Sequence, residues 1–459
     1  MTQKYQNQIW SILALFPIGV CSLLYILFKR DFAKLHLDFS FLNFPVFIGE
    51  ILLCYAGLVL MVRWAADPPA WNNYYAFAIV YLIWFTIKTV TGYCHWGPLA
   101  LRHAALFYYP LFFGIGYIFF DRRAMTQWSL RGLFVIIEGA LWYSQHDRYW
   151  DFTLGCMGLI LILGVKDKKW ALLMALILVF SFPYLYLFKT ARMMFVANTV
   201  SLLVLGTASF YLLETRLFFK MLVFILIVAG ISLGFYKSLI LGESGRMFTP
   251  PGEVIAQFKG SDKIVQQKKS SFKKIPLKAA LYNTGHDKNE LNYNNLQDEV
   301  KHLDADKNYI EWNSVNNIVF RLFIWRDMWE DWKTKKPFWG IDFGRPLRSP
   351  SLEILDWAQP EWGRDGWIEP HNSYFNMCYR AGYIGIFLVV FIWFELFRFF
   401  RAAFRRHSWV LILLAAILLN WMVAANFLLI LELPYTAIPF WTLAGMAWAY
   451  AYKHEAYVS

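Results

Sequence analysis

Residues 370–400 read PHNSYFNMCYRAGYIGIFLVVFIWFELFRFF, so a polar Pro-His-Asn turn leads directly into a long apolar run. Similar runs of about 20 residues recur along the chain, the length with which a helix crosses the hydrocarbon core of a bilayer. The 459 residues are 58% hydrophobic and 17% charged, whereas an ordinary soluble protein is about 25% charged. The sequence therefore predicts an all-α polytopic membrane protein.

Hydropathy predicts about 12 transmembrane helices in two blocks. An N-terminal bundle of about nine spans occupies residues 1–238, a polar segment occupies 239–372, and about three spans follow in 373–459. Lys and Arg in short loops are about twice as numerous on the side of the two termini, so we expect cytoplasmic termini and an outward-facing segment 239–372. The predicted spans are 9–28, 41–62, 73–93, 104–120, 130–146, 150–165, 170–188, 193–213, 218–238, 373–399, 408–430 and 435–452.

The outer segment divides into two parts of different composition. Residues 242–308 are polar and lysine-rich, which fits either a solvated charged surface or a rim that attracts an anionic glycan. Residues 313–335 instead show the period of an amphipathic helix, which Pro337 and Gly340 end. The tryptophans of this helix suit the level of the lipid headgroups. Its recurring apolar positions are Ile318, Leu322, Trp325, Met328 and Trp332.

Charge and cysteine content argue against several classes of function. The net charge of +12 is explained by cytoplasmic Lys and Arg and by contacts with anionic membrane lipids, so we expect no nucleic-acid partner. The five cysteines have no paired spacing, and no histidine cluster has zinc spacing. Asp304 and Asp306 form an acidic pair of a kind that recurs by chance. We therefore expect no catalytic metal and no cofactor.

Three basic residues can converge on the outer face, namely Arg192 at the start of a span, Arg321 on the amphipathic helix, and His371. Guanidinium groups match phosphate oxygens, and a neutral histidine can take a proton from a hydroxyl. Together these groups suit transfer from a lipid-linked diphosphate. Each also has a structural alternative: Arg192 can contact headgroups, Arg321 can line its helix with Arg326 as the local competitor, and His371 can be a simple hydrogen-bonding residue.

The residues that follow His371 support a site at this junction. Asn372 or Ser373 can cap the next helix, whose free N–H groups and positive dipole end favour a pyrophosphate anion. Gly382 and Gly385 lack side chains and would allow another helix to approach closely.

Arg380 is a charge inside a predicted span. Such a charge is a functional candidate by default. The alternative is a purely structural ion pair with Glu50 or Glu138.

These residues resemble the bacterial O-antigen ligase family, which includes O-antigen and exopolysaccharide polymerases. His371-Asn372, nine further residues and Gly382-Tyr-Ile-Gly385 fit the family motif of a histidine and an amide or serine before two spaced glycines. Thr190-Ala191-Arg192 resembles the Ser-Arg segment of the family. The stretch from Arg321 to Gly340 resembles its Arg-Trp and Pro-Gly segment, although Asp342 stands where a second glycine is common.

The resemblance implies a GT-C-like, metal-independent, inverting glycosyltransferase in the bacterial inner membrane, with its site facing the periplasm. The implied donor is a glycan on undecaprenyl diphosphate, and the acceptor is a hydroxyl of lipid A-core or of another glycan. His371 matches the essential histidine of the family, and Arg192 and Arg321 match arginines that hold the diphosphate. The chain has no glycine-rich nucleotide loop, as expected where no nucleotide sugar is used.

Three interpretations of function remain open from the sequence. A ligase joins a polymer to lipid A-core, whereas a polymerase joins repeat units through the same donor; the close match around His371 favours the ligase. A transporter or flippase of lipid-linked glycan would use Arg192, Arg321 and Arg380 as a path. A transporter is expected to place its polar residues near the bilayer midplane, on paired broken helices. In this sequence the candidate polar residues are instead predicted to gather at the outer face, beside the large segment 239–372.

Overall fold

In a computed structural model of the chain, the described residues form thirteen helices and one small sheet of two strands. The described residues are 3–38, 45–66, 73–120, 153, 196–198, 200–201, 203–204, 207, 251–269, 314–335, 337–355, 357 and 370–452. Within them, regular structure is almost entirely helical, which agrees with the predicted helical class. The GT-C likeness and the number of 12 spans remain predictions.

The described elements follow one another in this order. They are α1 (Gln3–Lys34), β1 (His36–Asp38), β2 (Pro45–Phe47), α2 (Ile48–Ala66), α3 (Asn73–Trp96), α4 (Leu99–His103), α5 (Ala105–Tyr108), α6 (Leu111–Phe119), α7 (Pro251–Lys269), α8 (Ser314–Lys335), α9 (Pro350–Ile354), α10 (Ser373–Ala381), α11 (Tyr383–Arg405), α12 (Trp409–Ala424) and α13 (Pro434–Tyr452). The two strands pair antiparallel, with Leu37 opposite Val46.

The contacts of the described residues divide them into two compact units. The first unit comprises described residues of 1–245, 342–344 and 371–459, and the second comprises those of 246–341 and 345–370. Residues 208–250 lie outside the described part, so the predicted boundary at 238/239 remains a prediction.

Four helical segments in the described part are long and apolar enough to cross a membrane. Their outer surfaces carry large apolar side chains that are more than half exposed, which water would disfavour and lipid tails would accommodate. The chain therefore has the character of a membrane protein. The four segments are Ile9–Phe28, Ile48–Ala66, Ala76–Trp96 and Tyr383–Arg405. The exposed side chains include Val80, Ile83, Val90, Val390, Phe394 and Phe397. Three predicted spans, 130–146, 170–188 and 218–238, lie wholly outside the described residues.

The interior of the first unit is formed by α6, α12 and α13. Along α12 nearly every side chain is buried, as expected for a helix that is apolar on all sides. The helix α13 packs against α6, and the rings of Phe113 and Trp448 lie 5.9 Å apart between centroids. The helix α1 also contacts α6, where Ser11 Oγ donates to the Phe119 carbonyl at 2.6 Å.

The second unit packs α8 against α7 and α9. The helix α8 spans Ser314–Lys335, close to the predicted 313–335. Its buried apolar stripe packs against protein; the Phe258 and Phe323 rings, for example, lie 4.8 Å apart. Trp329 and Phe338, in contrast, are exposed. The predicted place of its tryptophans at the level of the lipid headgroups remains a prediction. The buried stripe consists of Val319, Phe320, Phe323, Ile324, Met328 and Trp332, so two of the five predicted positions belong to it.

Candidate functional site

Asn372 caps the helix α10. Its Oδ1 accepts the Phe375 N–H at 2.8 Å, so one free donor of the first turn is satisfied. The next residue fixes this end of the helix to the segment after α12. Ser373 N–H donates to the Ala425 carbonyl at 2.9 Å, and its Oγ accepts from Leu431 N–H at 3.2 Å. The start of α10 is therefore held rigidly.

His371 lies immediately before this cap in a left-handed backbone conformation, with φ at 49°. Such a conformation costs a non-glycine residue about 1–2 kcal/mol and persists where neighbouring contacts impose it. The side chain is only half-buried. The imidazole is thus carried at the positive end of the α10 dipole by a fixed backbone.

Two glycines create a sharp corner after α10. Gly382 has φ 62° and ψ −139°, a conformation that only glycine adopts readily. A Cβ on Gly385 would lie 2.2 Å from the Met377 carbonyl oxygen, so its absence lets α11 pack directly on α10. The single span predicted for 373–399 is therefore two helices, and α10 is a short helix of nine residues.

Arg380 is buried near the end of α10, with 2% of its surface exposed. Its Nη1 donates to the Asp342 carbonyl at 2.9 Å, and its guanidinium lies over the Tyr379 ring at 5.2 Å. Glu50, one of the two acids predicted as its partner, instead accepts from Tyr108 and from the Phe47 N–H. Glu138, the other, lies outside the described residues.

The segment Asp342–Gly344 is irregular backbone inside the first unit. Gly344 N–H donates to Nδ1 of His103 at 2.9 Å, so Arg380 and His103 satisfy backbone groups on either side of Phe343. Buried backbone groups outside regular structure need such partners. The Phe343 ring is fully buried and stacks on Phe107 at 5.1 Å between centroids.

His103 contacts donors at both ring nitrogens. Because Nδ1 accepts from Gly344, the neutral ring carries its proton on Nε2. The Nη2 atom of Arg380 lies 3.4 Å from Nε2. Because both atoms are then donors, this approach is a packing contact and not a hydrogen bond. Burial, together with the charges of Arg380 and Arg102, holds the pKa of His103 well below its usual range.

Sequence reasoning missed Lys88 and His103. Lys88 is fully buried in α3, with its Nζ 5.7 Å from the centroid of Phe343. A charge within an apolar run was a usable signal for Lys88. No local signal identifies His103, because its partner Gly344 is 241 residues away.

Arg326 joins the three helices of the second unit. Its Nη1 donates to Asp262 on α7, and its Nη2 donates to Ser351 Oγ on α9 at 2.7 Å. The neighbouring Asp327 accepts from Ser349 Oγ at 2.6 Å and from Ser351 N–H at 2.9 Å. Through these bonds Arg326 holds α7, α8 and α9 together.

The predicted meeting of Arg192, Arg321 and His371 remains a prediction. Arg321 lies half-buried on α8 in the second unit, whereas His371 belongs to the first. Arg192 lies outside the described residues. Six residues after it, Asn198 Oδ1 accepts from Asn420 Nδ2 on α12 at 2.7 Å.

One further contact fixes the residue before His371. Within the second unit, the Trp325 indole Nε1 donates to the Pro370 carbonyl at 2.6 Å. Pro370 is itself buried.

No group of three or more His, Cys, Asp or Glu in the described part of the chain is arranged to hold a metal ion. The acidic pair Asp304 and Asp306 lies outside that part. Comparisons with protein-family models, with curated proteins and with solved structures find no match.

Proposed function

We propose that this protein is a glycosyltransferase that moves a glycan from undecaprenyl diphosphate to an acceptor sugar hydroxyl at the outer face of the plasma membrane. The observation that carries the proposal is the rigid presentation of His371 before the capped start of α10. The apolar helices keep such a site beside the bilayer, where a lipid-linked donor resides. The GT-C-like architecture is part of the same proposal.

In the proposed reaction His371 acts as general base. Its neutral imidazole takes the proton of the acceptor hydroxyl, whose oxygen attacks the anomeric carbon of the donor and inverts it. The bond from that carbon to the phosphate oxygen breaks, and the electron pair leaves with undecaprenyl diphosphate. Arg192 and Arg321 stabilise the charge of this leaving group, and the positive dipole end of α10 favours the same negative charge.

Two contacts with the α12 end support a place for Arg192 in this site. Asn198 bonds to Asn420, and Ser373 bonds to Ala425. Five residues of helix separate these two points, a rise of about 7.5 Å. The chain six residues after Arg192 and the start of α10 are thus held near the same helix end.

The test is complementation of a deletion strain. His371→Asn keeps a residue that tolerates the left-handed backbone but removes the base, and we expect transfer to fall by about 10²–10⁴-fold. His407→Asn is the matched control, because His407 is exposed, has φ 48° and likewise precedes a helix cap, Ser408. Wild-type glycan transfer by His371→Asn, at wild-type protein level, would remove the proposed mechanism.

The glycan that accumulates in the deletion strain identifies the acceptor. Long polymer on the carrier lipid indicates a ligase acting on lipid A-core, which we favour. Single repeat units on the outer leaflet indicate an O-antigen or exopolysaccharide polymerase. Repeat units held on the inner leaflet would indicate a flippase and would contradict the proposal.

A further inference from the structure

Three buried side chains hold the segment Asp342–Gly344 in the first unit. Arg380 bonds to the carbonyl of Asp342, His103 accepts from the N–H of Gly344, and Lys88 lies beside the Phe343 ring between them. Both ends of this short segment are therefore bonded to side chains. We refer to Arg380, His103 and their two backbone partners as the clamp.

The clamp joins the segment to the C-terminal end of α10. This helix has nine residues and is separated from α11 by the corner at Gly382, so the long helix α11 cannot fix its direction by continuity. Its start is held by Ser373 and its end by Arg380. His371 is carried directly before that start.

Loss of one attachment would change the tilt of α10. The start of α10 stays held by Ser373, so the helix would turn about that start, and a turn of about 10° moves a side chain that extends about 6 Å beyond it, such as that of His371, by about 1 Å. A displacement of that size in a reacting group costs about 100-fold in rate.

We propose that Arg380 and His103 are positioning residues for the reaction of His371, acting through α10 and without contact to the donor. The inference rests on the glycosyl transfer proposed above. This inference gives a function to the buried cation Arg380. Arg380 supplies the donor that the Asp342 carbonyl needs outside regular structure, and His103 supplies the acceptor for the Gly344 N–H.

The experiment adds purified full-length variants to membranes of the deletion strain and measures consumption of the accumulated lipid-linked glycan. For Arg380→Met we expect kcat to fall by about 100-fold with the KM for that donor within about twofold. Arg380→Lys retains one donor for Asp342 and should recover part of the loss. His103→Gln retains an acceptor for Gly344 and should exceed His103→Leu in kcat. Arg398→Met, which removes a partly exposed arginine paired with Glu395 on α11, is the control and should match the wild type.

Hydrogen exchange of the peptide that contains Gly344 reports the clamp independently of catalysis. We expect faster exchange in Arg380→Met and His103→Leu than in Arg398→Met. Unchanged exchange would show that Arg380 and His103 do not hold this segment, and it would overturn the inference independently of the role of His371 in transfer. Faster exchange with normal kcat overturns the positioning role, and a raised KM with normal kcat shows donor binding instead. If the proposed function itself is wrong, the His371→Asn variant will transfer glycan at the normal rate, and this result is independent of the exchange measurement. If Arg380→Met does not fold, the comparison of His103→Gln with His103→Leu decides by the same criteria.

Discussion

Replacement of Gly385 by alanine tests whether the packing of α11 on α10 sets the position of His371. The added Cβ would lie 2.2 Å from the Met377 carbonyl oxygen and 2.9 Å from the Cys378 Cα, both backbone atoms of α10. An ordinary carbon–oxygen contact is about 3.4 Å. The helix α10 would therefore have to move by about 1.2 Å, because no side-chain rotation can relieve the contact.

This shift has a cost in stability and a larger one in activity. Overpacking costs about 1–3 kcal/mol, and the better helix propensity of alanine offsets about 1 kcal/mol of it. A net loss of about 0–2 kcal/mol leaves a folded protein. The displacement of His371 by about 1 Å should nevertheless reduce the rate of transfer by about 100-fold.

The assay compares Gly385→Ala with Gly57→Ala in transfer rate and in thermal unfolding of the purified protein. Gly57 lies in α2, and a Cβ there would meet no atom within 4 Å. We expect Gly57→Ala to transfer at the wild-type rate with an unchanged or higher unfolding temperature. A wild-type rate for Gly385→Ala would refute the link between this packing and the position of His371.

Three further predictions follow from single contacts. Asn372→Ala removes the cap of α10 and should lower the free energy of unfolding by about 1 kcal/mol, measured by tryptophan fluorescence; an unchanged value would mean that the cap is replaced. Because the pKa of His103 is lowered in the folded protein, its contribution to stability is complete above the unfolded pKa of about 6.5 and is lost as pH falls below it. The loss is up to about 1.4 kcal/mol by pH 5.5, and His103→Gln should abolish that part of the pH dependence; an equal dependence in the variant would contradict the assignment. Asp327→Ala leaves the donors of Ser349 and Ser351 without their acceptor and should cost about 3 kcal/mol, whereas the exposed Glu330→Ala should change unfolding by less than about 0.5 kcal/mol.

The proposed resemblance to O-antigen ligases places Asp342 where a second glycine is common, and the structure shows how the backbone at Asp342 is bonded. The carbonyl of Asp342 is the acceptor of Arg380, and the glycine two residues later has φ 83°. A Cβ on Gly344 would lie 2.6 Å from the Trp96 Cβ. The close packing and the left-handed backbone are thus found at Gly344, so an aspartate at 342 is compatible with the turn.

Features that depend on near neighbours were predictable from the sequence. The apolar runs identify the helices α1, α2, α3 and α11 because the hydrophobic effect acts on each helix by itself. The bounds of α8 follow from its period and from Pro337. Asn372 was recognisable as a cap, since its bond to Phe375 spans three residues.

The partners of buried charges were decided by the tertiary structure alone. Arg380 bonds to a carbonyl 38 residues earlier in the chain, and His103 bonds to an N–H that lies 241 residues later. Carbonyl and N–H groups occur at nearly every residue, so no residue type at Asp342 or Gly344 marks them as partners. The sequence by itself determined which segments are apolar helices and where α10 begins. Only packing decided which backbone groups were left without regular partners, and therefore where the buried cation and the buried imidazole are bound.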